Sequence, residues 1–395
     1  MAPNSKTKIK RIFTMNPIIV ALGFISLFTD LSSNMIVPIL PLYLSSVLHV
    51  QTSSIGIIEG IAESTASILK LFSGWITDRV GKYKPLMLVG YGLSNLTKPL
   101  FALSGSWGQV LLVRFSDRIG KGIRTSPRDV LVANSTTKEE RGKAFGFRRA
   151  MDALGAALGP LVAFGILAWS MNNYRLVFWL SVIPGVLAII LIIFFLNYKE
   201  AAGTGKQAKP LKIGFKNVNK RFIWFSLVAT LFTIGNFSDA FLSLRALDTG
   251  MRPALIPLAF FTLNIVSSIF SIPVGMLSDR IGRRPVLISG FIIFALIYFG
   301  FGMAKNVIWI WVLFIFYGLY YAFTEGIQKA YIADIVPEGQ RGTAMGTYNA
   351  MTGIAALPAS IIAGFLWQNF GPFVAFSTSS IIAIIAALLM ILFRI

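Results

Sequence analysis

The feature that most limits this chain is a series of long apolar runs, each close to the ~20 residues that carry a helix across a bilayer. Bounded by Gly, Pro, Asn or charge, they fall at 17–43, 53–77, 84–104, 107–134, 141–169 and 174–197. A second set falls at 221–247, 254–278, 284–304, 307–334, 342–368 and 372–393. Twelve such runs cannot all be hidden in one water-soluble core. Only 13% of the 395 residues are charged and 55% are hydrophobic, where soluble domains carry about 25% charged residues. A soluble fold is thereby excluded. The expected fold is all-α and integral to the membrane, with twelve transmembrane helices in two pseudo-symmetric six-helix bundles.

The two sets define the domains: a tail at 1–16, a first bundle at 17–197, a linker at 198–220 and a second bundle at 221–395. The linker, YKEAAGTGKQAKPLKIGFKNVNK, is the one polar, Gly-containing, basic stretch. The net charge of +20 does not point to nucleic acid, because the Lys and Arg sit in short segments between apolar runs and inside some of them. Segment 198–221 carries seven Lys/Arg, the tail has Lys6, Lys8, Lys10 and Arg11, and the loop after the second run has Arg79, Lys82 and Lys84. Four of the alternate loops carry none. Basic loops stay on the cytoplasmic side, so both termini and the linker are expected there, in the cell (inner) membrane.

Cys is absent and His49 is the only His, so no metal site is expected, and no cofactor. No G-x-x-x-x-G-K-[ST] loop for ATP occurs, nor a nucleophile–base pair for an enzyme.

The chain also repeats itself. GWITDRVGKYKP at 74–85 is echoed by GMLSDRIGRRP at 275–285, and Arg141-Gly142 and Ala150-Met151 by Arg341-Gly342 and Ala350-Met351 at offset 200. A fainter match sets Phe28-Thr29-Asp30 against Phe237-Ser238-Asp239. Two halves in the same sense are a plan of secondary transporters.

The doubled G-x-x-x-D-R-x-G-[KR] phrase resembles the signature loop of the major facilitator superfamily, and the resemblance covers essentially the whole chain. It implies two bundles rocking about a central site, with each half keeping a gating loop: Gly74, Asp78 and Arg79, and Gly275, Asp279 and Arg280. The glycines let helices approach closely, and Arg79, Lys82, Arg280, Arg283 and Arg284 are placed to bridge to acids of the facing bundle. Gating is the leading reading for the Asp/Arg pairs, and anchoring at the positive side is the leading one for Lys82, Lys84 and Arg284. The run GAALGP, with Gly155, Gly159 and Pro160, resembles the G-x-x-x-G-P motif of antiporting exporters, although Phe164 departs from the small residue expected after it. Tight helix packing is the competing account.

Charges inside apolar runs are functional candidates, and away from the run ends the first half holds nine basic and six acidic ones. Asp30, Glu63, Asp152 and, in the second half, Asp239 are the candidates for carrying a proton. Glu59 and Glu63 stand four residues apart on one helix face, and Arg114, Arg118 and Lys121 share another. Arg118, Arg114, Lys121, Glu59 and Tyr321 are the candidates for holding cargo. Arg118-x-x-x-Gly122 resembles the arginine motif of proton-coupled exporters, with Lys121 and Arg124 departing from it. A closed ion-pair network that merely braces the bundle is the alternative. Phe232, Phe237, Tyr317, Tyr320 and Tyr348 are further candidates for a cavity wall, although packing or lipid contact is the plainer reading of each.

The expectation is a secondary transporter working by alternating access, with proton-coupled export of a small organic solute, anionic or zwitterionic, as its leading form. Proton-symport import of an organic anion is the runner-up, and a membrane sensor that has lost transport belongs to a different class. The expected partners are the lipid bilayer, a small-molecule substrate and protons, with no nucleic acid, on a monomer.

Overall fold

A computed structural model describes residues 15–80, 82–137, 140–196, 219–337 and 340–393, apart from the side chains of Leu71, Gly74, Trp75, Asp78 and Val80. Nearly all of the N-terminal tail and of the linker lies outside the described residues, as do the side chains of the gating candidates Gly74 and Asp78.

The described residues form twelve helical rods, three of them broken. The first is α1 (Pro17–Ile36) continued by α2 (Leu40–Ser46), and α3 (Thr52–Val80), α4 (Tyr83–Leu103), α5 (Trp107–Asn134) and α6 (Arg141–Trp169) follow. The sixth rod is α7 (Tyr174–Leu180) with α8 (Val182–Phe195), and the seventh is α9 (Lys220–Gly235) with α10 (Ala240–Asp248). The last five are α11 (Leu255–Ile281), α12 (Arg283–Met303), α13 (Val307–Ile335), α14 (Arg341–Phe370) and α15 (Pro372–Leu392).

Nine of these rods are long and apolar enough to cross a membrane. The other three, α3, α4 and α5, have the length, at 29, 21 and 28 residues. Their polar and charged residues set them apart, and those residues build the site described below.

Local chemistry sets the ends and breaks. Pro38 has no N–H to continue the first rod, which turns there before α2 starts with Pro41 in its first turn. The caps keep the sequence repeat: Ser106 caps α5 by accepting from Gln109 N (3.4 Å), and Asn306, at offset 200, caps α13 by accepting from Trp309 N (3.2 Å).

Within the first half α1 packs on α6 and α8, and α5 on α3 and α4; in the second, α12 packs on α13 and α15, and α11 on α13. The halves meet where α3 lies along α14, where α6 crosses α11, and where α2 touches α10. Small residues make the close crossings, as they do inside membranes. A Cβ on Gly60 would stand 2.8 Å from the Leu357 carbonyl oxygen, and one on Gly159 would stand 2.6 Å from that of Leu31.

The cross-half contacts lie at one end of the molecule and near its middle. Gln368 Oε1 accepts from Thr52 N (3.1 Å), Ser64 Oγ donates to the Gly353 carbonyl (2.8 Å) and Asn264 Nδ2 to the Ala156 carbonyl (3.1 Å). Toward the opposite end, where α8 ends and α9 begins, charged side chains deep in the rods are exposed. Lys70 and Lys121 are exposed on α3 and α5, and Glu325 and Lys329 on α13 have side chains 68% and 45% exposed. Charges at that depth belong in water. The molecule is therefore closed at its far end and open at its basic end.

The faint match of Asp30 with Asp239 is not kept in three dimensions. Asp30 sits inside α1, seven residues before Val37 and the turn at Pro38, whereas Asp239 stands just before α10, at the break itself. The break of the first rod and that of the seventh are the counterparts.

Candidate functional site

A cavity of about 510 Å³, its mouth included, opens between α1, α4 and α5. α1 lines it with Asp30, Ser33, Asn34 and Ile36, together with Val37 beyond its end; α4 lines it with Lys98 and Phe101. α5 contributes Arg114, Asp117, Arg118, Lys121 and Arg124. Spacings of three and four residues bring these five onto one face of a 3.6-residue helix. Three of the cargo candidates, Arg114, Arg118 and Lys121, thus line one cavity together with the proton candidate Asp30.

The charges fall into tiers. Nearest the far end, Arg114 pairs with Glu59 of α3 at 3.0 Å, both almost fully buried, and Glu59 also accepts from Ser238 Oγ of the second half (3.3 Å). In the middle, Arg118 lies 3.5 Å from Glu63 and 3.7 Å from Asp117, and Asp117 accepts from Ser94 Oγ (2.5 Å). Nearest the basic end, Arg128, Asp129, Arg148 and Asp152 form a closed, neutral quartet. Arg148 meets Asp152 at 3.0 Å and Asp129 at 3.7 Å, and Arg128 meets Asp129 at 3.2 Å and Asp152 at 3.9 Å. Asp152 therefore sits in a brace between α5 and α6, outside the cavity wall.

Some groups in the cavity have no such match. Among the described residues, Lys121 and Asp30 make no side-chain hydrogen bond or ion pair, and Arg124 has only the Tyr91 ring, 4.6 Å from its guanidinium carbon. Lys98, 2% exposed, donates to Ser32 Oγ, which donates to the Ser181 carbonyl at the break between α7 and α8. The Nε donors of Arg114 and Arg118 are buried without an acceptor. Nothing in residue spacing marked Lys98 as part of this site, since its cavity forms only when α4 lies against α5 through Gly90 and Gly120.

The other candidates lie elsewhere. Asp239 accepts from Tyr317 (2.8 Å) and Tyr321 (2.9 Å) of α13, so Tyr321 is engaged with a carboxylate, and neither residue lines the cavity. Phe232, Phe237, Tyr317, Tyr320 and Tyr348 are buried in the aromatic core of the second half, where Phe232 stacks on Phe291 at 4.0 Å between centroids. In the second gating loop Asp279 pairs with Arg283 (2.5 Å), which also reaches Asp334 (3.3 Å) of the same half. Arg79, Asp279 and Arg280 are exposed, and Gly275 has open space around it, so the close approach expected there is absent with the basic end open. Gly155 and Gly159 press against α1 at Leu27 and Leu31, and Pro160 is buried within α6.

The family model described as Major Facilitator Superfamily matches residues 22–244 and 224–395. The chain belongs to this superfamily. An uncharacterised MFS-type transporter of Methanocaldococcus jannaschii is 37% identical over 94% of this chain and 93% of its own length. The cis,cis-muconate transport protein of Acinetobacter baylyi is 25% identical over 87% of this chain and 86% of its own. Among solved structures, a POT family transporter in complex with a thioalcohol-conjugated peptide superposes with a TM-score of 0.80, at 14% identity, over 95% of this chain and 96% of that one. The protein is accordingly an all-α, multi-pass membrane transporter of the major facilitator superfamily, driven as a secondary transporter.

Proposed function

We propose that this transporter carries a small organic anion by alternating access, coupled to protons. All twelve rods cross the bilayer with the basic end in the cytoplasm, and the halves 17–197 and 221–395 rock about the α3–α14 and α6–α11 contacts. The observation that carries the cargo assignment is the cavity itself. It presents cations without carboxylate partners and arginine donors without acceptors, beside one carboxylate, Asp30, that has no partner of its own. Unmet buried donors favour an acceptor-rich ligand. A relative that transports an organic acid supports the same class.

Charge decides the form of coupling. A proton on Asp30 removes a negative charge from the cavity, so it strengthens anion binding, and by linkage the anion strengthens proton binding. Proton and cargo then travel together. Antiport export calls for cargo that competes with the proton, as a cation would at Asp30. The geometry therefore favours symport, the runner-up reading, and the Gly155–Gly159–Pro160 stretch acts as the packing face of α6 on α1.

Labelled muconate and proteoliposomes with an imposed pH gradient test this. Symport accumulates muconate in the more alkaline compartment, beyond the level of protein-free liposomes and of Arg118→Ala. Accumulation in the more acidic compartment would make the protein an antiporter.

A further inference from the structure

The cavity's charges can be counted, and the count names a narrower substrate class, on the basis of the anion reading above. Five cations face it: Lys98, Arg114, Arg118, Lys121 and Arg124. Four carboxylates answer them, Asp30 and Asp117 on the wall and Glu59 and Glu63 paired to its arginines. One positive charge is left over with Asp30 ionised, and two with Asp30 protonated. The neighbouring quartet is neutral by itself, so it does not alter the surplus.

The surplus is divided between two places. Ser94 of α4 bonds Asp117 of α5, and Gly90 abuts Gly120 and Arg124, so the antiparallel helices place Lys98 level with Arg114. Lys121 is seven residues, or about 10 Å of helix, farther toward the basic end. Lys98 and the Arg114 Nε donor make one pole; Lys121 and Arg124 make the other.

We infer that the cargo is a linear organic dianion of the dicarboxylate class, one carboxylate at the Lys98 pole and the other at the Lys121 pole, bound together with one proton on Asp30. The groups that face Asp30 agree with that role. Lys121, Arg124 and Arg128 approach from α5 and Asp152, itself tied to Arg148, from α6, while Lys98 approaches from α4. The sixth rod, packed on the same helix through α8, brings no charged residue within Val182–Phe195. An incoming second negative charge is opposed by Asp30 alone among the wall residues that lack a partner, and one proton removes that opposition.

The test uses the full-length protein in detergent and the rise of its thermal unfolding midpoint with ligand concentration, since a ligand of the folded state stabilises by mass action. The probes are cis,cis-muconate, its monomethyl ester, sulfate and a lipophilic phosphonium cation, each at mildly acidic and at alkaline pH. Muconate is expected to bind at least about tenfold more tightly than the monoester at acidic pH, about 1.4 kcal/mol, and to lose most of that preference at alkaline pH. Asp30→Asn should keep the preference at both pH values. Lys98→Gln should lose it and Lys98→Arg restore it in part; if Lys98→Gln gives no folded protein, the arginine variant and Lys121→Gln decide. Equal binding of the monoester would overturn the dianion assignment and leave the anion reading standing. The same holds if sulfate displaces muconate at equal concentration, which would mean a compact anion site, or if Asp30→Asn keeps the wild-type pH dependence. Stabilisation by the phosphonium cation and by no anion would overturn both.

Discussion

At the scale of single residues, pairing separates braces from working groups. Glu59 and Arg114 are both almost wholly buried and pair at 3.0 Å. Removing one partner of such a pair costs about 3–5 kcal/mol, because it strands the other charge, whereas replacing both by apolar groups is often neutral. Glu59→Met and Arg114→Met should each lower the unfolding midpoint strongly and the double variant should recover most of the loss, which a double-mutant cycle on purified protein measures. Additive losses would mean that each side chain works through other contacts. Tyr317 and Tyr321 both donate to Asp239, and hydrogen bonds to a charged group are worth about 1.5–3 kcal/mol. Tyr317→Phe and Tyr321→Phe are therefore expected to destabilise by about that much each, while muconate affinity, read by titration, stays at the wild-type value because neither ring lines the cavity. The sequence disclosed Arg114, Arg118 and Lys121 by their helical spacing. It hid the pairing of Asp152 and the membership of Lys98, since both depend on which helix lies opposite.

At the scale of elements, the apolar runs fixed the rods to within a few residues, because burial of twenty apolar residues overrides local preference. Breaks were less legible. Pro38 is a visible signal, and so is Pro184, three residues past Ser181, which has no N–H to bond the Leu180 carbonyl, but the stretch Asn236–Asp239 holds no proline. The glycine-rich face of α6 was read both as an exporter motif and as packing, and it lies against α1 with no room for a side chain. Gly155→Leu and Gly159→Leu should each force α1 and α6 apart and lower the unfolding midpoint, whereas Gly165→Ala on the same helix, where a Cβ meets open space, should be nearly neutral. Midpoints that rank the other way would show that the α1–α6 crossing yields easily. The doubled motif proved its worth as a family signature. Its second copy, however, pairs within its own half among the described residues, Asp279 with Arg283 and Arg283 with Asp334.

At the scale of the whole molecule, contacts at the far end and exposed charges at the basic end describe one side of a rocking cycle. Lys70 of α3 and Lys329 of α13 face each other across the opening, and Lys329 also pairs with Glu325 of its own helix at 4.0 Å. The chain has no Cys, so single cysteines report without background. A cysteine pair replacing Thr52 and Gln368, whose residues bond across the far end, should crosslink and stop transport, and reduction should restore it. Transport unaffected by the crosslink would rule out opening at that end. The most direct measurement concerns the cavity itself. Ser33 lines it, and Ser33→Cys is nearly isosteric. A membrane-impermeant thiol reagent should label it fast from the face that bears the basic loops, slowly from the other, and not at all under saturating muconate. Labelling that is equal from both faces, or indifferent to a muconate concentration that the protein transports, would contradict an alternating-access site in this cavity.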